Sequence, residues 1–147
     1  MEYLIYRSKA LVPPGSEACR SIVAVSQMNN ASLGLTGFLH AEEGLFIQYL
    51  EGAPKPLWAL YERLHIDDRH TDMMLLGRGN LDKPRFEDWR MGYSDDHVIS
   101  FDDFKERVPF FEPIEKASSK QALYFLMAAY AQIDLGISEP PLALSHR

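Results

Sequence analysis

The chain has 147 residues, 46% of them hydrophobic, and 15 Lys and Arg against 21 Asp and Glu leave a formal net charge of −6. That length suits one domain with a full core, and the acidic balance argues against a nucleic-acid binder, which normally shows a basic face. No apolar run reaches membrane-spanning length, the start Met1-Glu2-Tyr3 has neither a basic leader nor a signal core, and the lone Cys19 fits a reducing interior; a cytoplasmic protein with no nucleic-acid or membrane partner is expected.

Leu4 to Ser8 reads as a strand, with Leu4, Tyr6 and Ser8 on one face and Tyr3, Ile5 and Arg7 on the other. Pro13-Pro14-Gly15 breaks it, and Ser16 then offers a helix N-cap, with Glu17 favourable to the helix dipole. Cys19, Ile22, Val23 and Ser26 follow helical spacing, and Asn29-Asn30 is a plausible helix end. On such a helix Cys19 is a small core residue rather than a nucleophile. Two strands follow, Leu35–Ala41 and Leu45–Glu51, joined as a hairpin across Glu42-Glu43-Gly44. Pro54 and Pro56 open a second helix, whose stripe is Leu57, Leu60, Tyr61 and Leu64.

After Asp67-Asp68-Arg69-His70, a short strand is expected at Met73–Leu76, bounded by Gly77 and Gly79. A last strand is expected at Trp89–Ser94, with Trp89, Met91 and Tyr93 sharing a face. The order β-α-β-β-α-β-β makes two split β-α-β units, an α+β, ferredoxin-like sheet with two helices on one face. Ser118-Ser119-Lys120-Gln121 has a capping-box pattern opening a helix to about Leu135. That helix is apolar on most sides, so it either caps the open sheet face or meets another chain.

In Phe46-Ile47-Gln48-Tyr49-Leu50-Glu51-Gly52, Phe46, Gln48 and Leu50 share a face, so a primary amide sits between two large apolar side chains. On an edge strand Gln48 would be exposed; in a core it needs polar partners from the protein or a ligand. The first and third strands are central neighbours in this order, so Tyr6 and Gln48 can touch. No strong catalytic or phosphate motif accompanies them. Gly77-Arg78-Gly79 lacks the third glycine and the context of a dinucleotide fingerprint. His65, Asp67, Asp68 and His70 form a loose cluster, but the histidines are five apart and miss the spacing of a zinc helix, so no metal is expected.

These residues fall into segments that resemble the BLUF family of flavin-binding blue-light sensors: Ile5-Tyr6-Arg7-Ser8, Ser26-Gln27-Met28-Asn29-Asn30, Leu35-Thr36-Gly37, Phe46 to Gly52, Asp67 to His70, and Arg85-Phe86 before Trp89-Arg90-Met91. The match covers about residues 2–95. It implies a BLUF flavin-binding domain over residues 1–97, and a C-terminal helical extension over 98–147 without an enzyme domain.

The resemblance also implies roles. Tyr6 gives an electron and then a proton to the photoexcited ring. Gln48 bridges Tyr6 and the flavin and rearranges in light. Asn30 holds the ring edge, with Ser26 and Asn29 nearby. Arg63, Asp67 and Arg69 meet the ribityl chain and phosphate, with His70 beside them, and Trp89 or Met91 relays the signal next to Gln48. Ile22, Val23 and Leu64 are candidate apolar walls. The cofactor implied is FAD, although the visible residues address mainly the ring and leave FMN and riboflavin open. The expected protein is a sensor rather than an enzyme, acting through a downstream protein or as a homo-oligomer. The alternatives are a small flavin-dependent oxidoreductase and a non-photoactive adaptor working through its C-terminal helix.

Overall fold

The chain alternates in chain order through β1 (Glu2–Ala10), α1 (Glu17–Leu33), β2 (Thr36–Glu42), β3 (Leu45–Gly52), α2 (Pro54–Leu64), β4 (His70–Asn80), β5 (Gly92–Asp95), α3 (Phe101–Arg107), a 3-10 turn at Ile114–Lys116, and α4 (Ser119–Asp134). The structure is a computed structural model and describes residues 1–86, 89–108 and 112–136. The five strands lie in the order β4-β1-β3-β2-β5. β1 pairs antiparallel with β3 and β4, β3 antiparallel with β2, and β5 parallel with β2. The units β1-α1-β2 and β3-α2-β4 each straddle a strand of the other, which makes the α+β fold ferredoxin-like, with β5 added at one edge.

Strand alternation divides the core in two. Leu4, Tyr6, Leu39, Phe46 and Leu50 face Cys19 and Val23 of α1 and Leu57 and Tyr61 of α2. Ile5, Phe38, Ile47 and Tyr49 face the other way, toward Ala122, Phe125, Leu126 and Ala129 of α4. Each large side chain so buried contributes about 1.5–3 kcal/mol. Gln48 sits on β3, between β1 and β2, and is 5% exposed. The edge-strand reading of this residue therefore falls, because two ladders flank it.

Local chemistry accounts for most element ends. Ser16 Oγ accepts from Cys19 N at 3.2 Å. The Ser118–Gln121 capping box closes with both of its bonds, 3.1 and 3.3 Å. Glu43 and Gly44 take φ of 52° and 74°, which a two-residue hairpin of this hand requires.

β1 is longer than expected by two residues at each end, and three other boundaries differ for identifiable reasons. α1 runs through Asn29-Asn30 to Leu33 and stops where Gly34 adopts φ 70°, its N–H bonding to Asn30 O; the left-handed cap, which glycine adopts without strain, ends the helix rather than the asparagines. β4 extends from His70 through both glycines, which pair with Ile5 and Tyr3 of β1, and a Cβ at Gly77 would collide with Ser119 and one at Gly79 with Tyr3. There the glycines admit neighbours instead of ending the strand. β5 begins only at Gly92, so Trp89 and Met91 precede the strand and are not bound to its alternation.

α4 lies on the sheet with Phe125, Leu126 and Ala129 fully buried, while Tyr124 and Leu135 remain exposed. No helix among the described residues is long and apolar enough to cross a membrane.

Candidate functional site

α1 and α2 stand apart over the sheet and leave a cleft of about 220 Å3 between them. Its floor is Tyr6, Leu39, Phe46 and Gln48; α1 contributes Ile22, Val25, Ser26, Asn29 and Asn30, and α2 contributes Leu60, Arg63 and Leu64. Asp67, Arg69 and His70 close one end and Met91 the other side. Thus Tyr6, Gln48, Met91, Ser26, Asn29, Asn30, Arg63, Asp67, Arg69 and His70 meet in one place, although they come from five separate stretches of sequence.

Two expected residues are elsewhere. Val23 is fully buried in the core beneath α1 and does not reach the cleft. Trp89 points to the opposite side of the sheet, stacked on Phe38 with ring centroids 5.7 Å apart and 4.6 Å from Tyr130 of α4. The expected shared face of Trp89 and Met91 is corrected by the bend before β5. Gln27 Nε2 donates to Met91 O at 3.1 Å and Asn30 Nδ2 donates to Arg90 O, while Trp89 O accepts from Gly37 N at 3.0 Å. Those bonds draw Met91 toward α1 and leave Trp89 on the far face.

At the floor, Tyr6 and Gln48 are direct register partners in the β1–β3 ladder. The Tyr6 phenol donates to Gln48 Oε1, and Gln48 Nε2 lies 3.5 Å from Met91 Sδ. Burial raises the Tyr6 pKa well above that of a free phenol, and the negative charge of Asp67 adds to it. The phenol is therefore held neutral, with its proton on the amide. Its ring is edge-on to Tyr61 at 6.1 Å and tilted against His70 at 6.0 Å.

His70 is itself fixed: Nε2 lies 2.7 Å from Leu64 O, and Nδ1 2.7 Å from Ser8 Oγ. A carbonyl only accepts, so Nε2 carries the proton, and in the neutral ring Nδ1 accepts from the serine hydroxyl. Beside it Arg69 grips Asp67 with two parallel bonds, Nε to Oδ1 at 3.0 Å and Nη2 to Oδ2 at 2.8 Å. That hydrogen bonding holds the Asp67 carboxyl below its usual range.

Asn30 carries the sharpest sign of a missing partner. It is 1% exposed, its Nδ2 is taken by Arg90 O, and its Oδ1 has no hydrogen-bond partner among the described residues. A buried acceptor left so is costly, and here it belongs to a residue that lines the cleft. A planar heteroaromatic ring with an N–H at its edge fits: apolar walls for its faces, an acceptor for its donor, an amide at Gln48, and guanidinium groups at the end where a phosphate would leave. A flavin has those parts.

Sequence reading missed Val25, Leu39, Phe46 and Leu60 as walls, and the part of the two α1 amides in holding the segment before β5. The signal for the latter was present, since Gln27 and Asn30 are three apart and so share a helix face.

A sequence model of the BLUF family, described as sensors of blue-light using FAD, matches residues 1–92. The photoactivated adenylate cyclase subunit beta of Euglena longa is 26% identical over 150 residues, covering 97% of this chain and 17% of that protein. The chain thus spans only a small part of the curated relatives it matches. Among solved structures, the BLUF domain named BlrP1 BLUF is 27% identical with a TM-score of 0.64, covering 86% of this chain and 87% of that one. The photo-activated state of BlsA, at 21% identity and a TM-score of 0.73, covers 99% and 97% and shares the fold. With the family's sequence pattern running through the strands and helices that build the cleft, this chain belongs to the BLUF family.

Proposed function

We propose that the chain is a blue-light sensor that holds FAD noncovalently in the cleft between α1 and α2, and that Tyr6 and Gln48 form its switch. The observation that carries this is the hydrogen-bonded Tyr6–Gln48 pair on the cleft floor, beside an Asn30 acceptor left for a ligand.

Bound flavin supplies blue-light absorption and one-electron redox chemistry. Tyr6 is the oxidisable side chain of the floor, and its proton already points at an acceptor, Gln48 Oε1. Gln48 has one strong contact, to the phenol, and one weak one, to a thioether, which is a poor acceptor. Its amide can therefore turn by giving up little on the Met91 side, and turning exchanges donor and acceptor without moving net charge. Asn30 and Ser26 orient the ring, while Arg63 and the Asp67–Arg69 pair suit the ribityl chain and phosphate. The apolar walls exclude water, which keeps the phenol neutral and the hydrogen bonds strong.

The output runs through a partner or a homo-oligomer rather than through turnover, a reading supported by the match of residues 1–92 to a family of sensors. The test is spectroscopic: purified chain loaded with FAD should be yellow, shift to the red under blue light, and return in the dark. A folded preparation that takes up neither FAD, FMN nor riboflavin overturns the reading.

A further inference from the structure

Across the sheet from the cleft, a buried polar chain joins β5 to the C-terminal helices. His40 on β2 is fully buried, with Nδ1 2.6 Å from Ser94 Oγ and Nε2 2.8 Å from Glu42 Oε1. Glu42, also buried, accepts from Phe101 N at 2.9 and 3.1 Å and from Ser100 Oγ at 3.4 Å, and so sits on the first residues of α3. A carboxylate only accepts, so Nε2 carries a proton and donates to Glu42, while Nδ1 and the Ser94 hydroxyl share the second hydrogen bond. The same ring meets Phe125 of α4 edge-on, with centroids 4.6 Å apart.

The position of this chain matters more than its strength. His40 and Ser94 are register partners in the parallel β2–β5 ladder, which begins at Gly92, next in sequence to Met91. Met91 Sδ lies against Gln48 Nε2 on the cleft side. A turn of the Gln48 amide that displaces Met91 therefore pulls on β5 three residues before Ser94. Buried hydrogen bonds tolerate little displacement, because their groups have no water to turn to. Well-packed apolar side chains would join β2, β5 and α3 at least as stably, so adhesion alone does not account for a histidine bonded at both nitrogens here.

We infer that His40, clasped by Ser94 and Glu42, is the positioning residue that carries a change at Gln48 and Met91 through the sheet to α3 and α4. The inference rests on the light-sensing reading above, and its test separates the two. Flavin-loaded full-length chain is compared in light and dark by its difference spectrum and by amide hydrogen exchange in α3 and α4. Wild type should show the red shift and a light-dependent exchange change in both helices. His40→Leu should keep the spectral shift but reduce the exchange change about fivefold or more, the lower end of ordinary coupling. His40→Gln, whose amide can accept from Ser94 and donate to Glu42, should restore most of it. Ser94→Ala removes a single hydroxyl and carries the test if the leucine variant does not fold. Exchange changes as large as wild type in Ser94→Ala and His40→Leu, or none in wild type despite a normal spectrum, overturn this inference alone. A wild type with flavin but no spectral shift overturns the light-sensing reading and this inference with it.

Discussion

Tyr6 and Gln48 stand directly opposite each other in the β1–β3 ladder, and the phenol of one donates to the amide oxygen of the other. The pairing places an oxidisable group and a reorientable amide on one cleft floor, held by strands that flank each other at the sheet centre. Backbone register, rather than flexible loops, sets their contact.

Gln48→Leu tests the amide as the switch. Leucine nearly matches the volume and keeps the apolar face shared with Phe46 and Leu50, so FAD should still bind. It offers neither donor nor acceptor, so blue light should no longer produce the long-lived red-shifted spectrum. The check is a light-minus-dark spectrum of loaded wild type and variant side by side, and a normal spectrum from the variant excludes Gln48 as the switch.

Asn30→Ala should weaken FAD binding about tenfold, the effect of losing one ligand hydrogen bond worth roughly 1–2 kcal/mol. It also frees the Arg90 carbonyl that Asn30 Nδ2 holds. Fluorescence titration of FAD against the two proteins measures it. Equal affinities would mean that the unpaired Oδ1 does not face the ligand.

Trp89→Phe should leave the light-minus-dark spectrum unchanged, because Trp89 stacks on Phe38 and lies tilted against Tyr130 on the α4 side. Its effect should be on stability, about 1–3 kcal/mol as for other losses of buried aromatic bulk, read from denaturant midpoints. A lost spectral shift would place Trp89 within reach of Gln48 after all.

The alkaline limit of stability should depend on Tyr6. Its folded pKa is raised by burial first and by Asp67 second. A group with a raised folded pKa stabilises the fold fully below its unfolded value, about 10 for tyrosine, and that contribution falls as pH rises beyond it. Tyr49 and Tyr93 are raised by burial too, so they share in the loss. Denaturant midpoints between about pH 8 and about pH 11 should therefore fall more steeply for wild type than for Tyr6→Phe. Asp67 acts at the other end: its depressed pKa stabilises above the usual carboxylate value, about 3.9, and is lost as pH falls below it. Parallel alkaline curves for wild type and Tyr6→Phe would show that Tyr6 does not titrate as a buried group.

The sequence alone determined whatever repeats within a few residues. Period-two alternation set Leu4 and Tyr6 on one face and Phe46, Gln48 and Leu50 on the matching one, while the 3.6-residue stripe chose the buried side of α2. Ser16, Ser118 and the Glu43-Gly44 turn marked their own ends through bonds to near neighbours. Together with the element order, these made the ferredoxin-like sheet and the meeting of Tyr6 with Gln48 legible before any coordinates. What the tertiary structure decided lies in segments without a period and in groups whose partners are distant. Trp89 and Met91 part to opposite faces because Gln27 and Asn30, some 60 residues earlier, hold the backbone at Arg90 and Met91. The burial of His40, Glu42 and Ser94 is equally invisible in sequence, since His40 alternates in an ordinary strand and its two nitrogens find Ser94 and Glu42 only after β5 docks on β2. A polar side chain enters a core only where folded neighbours satisfy it, and those neighbours are a property of the assembled sheet.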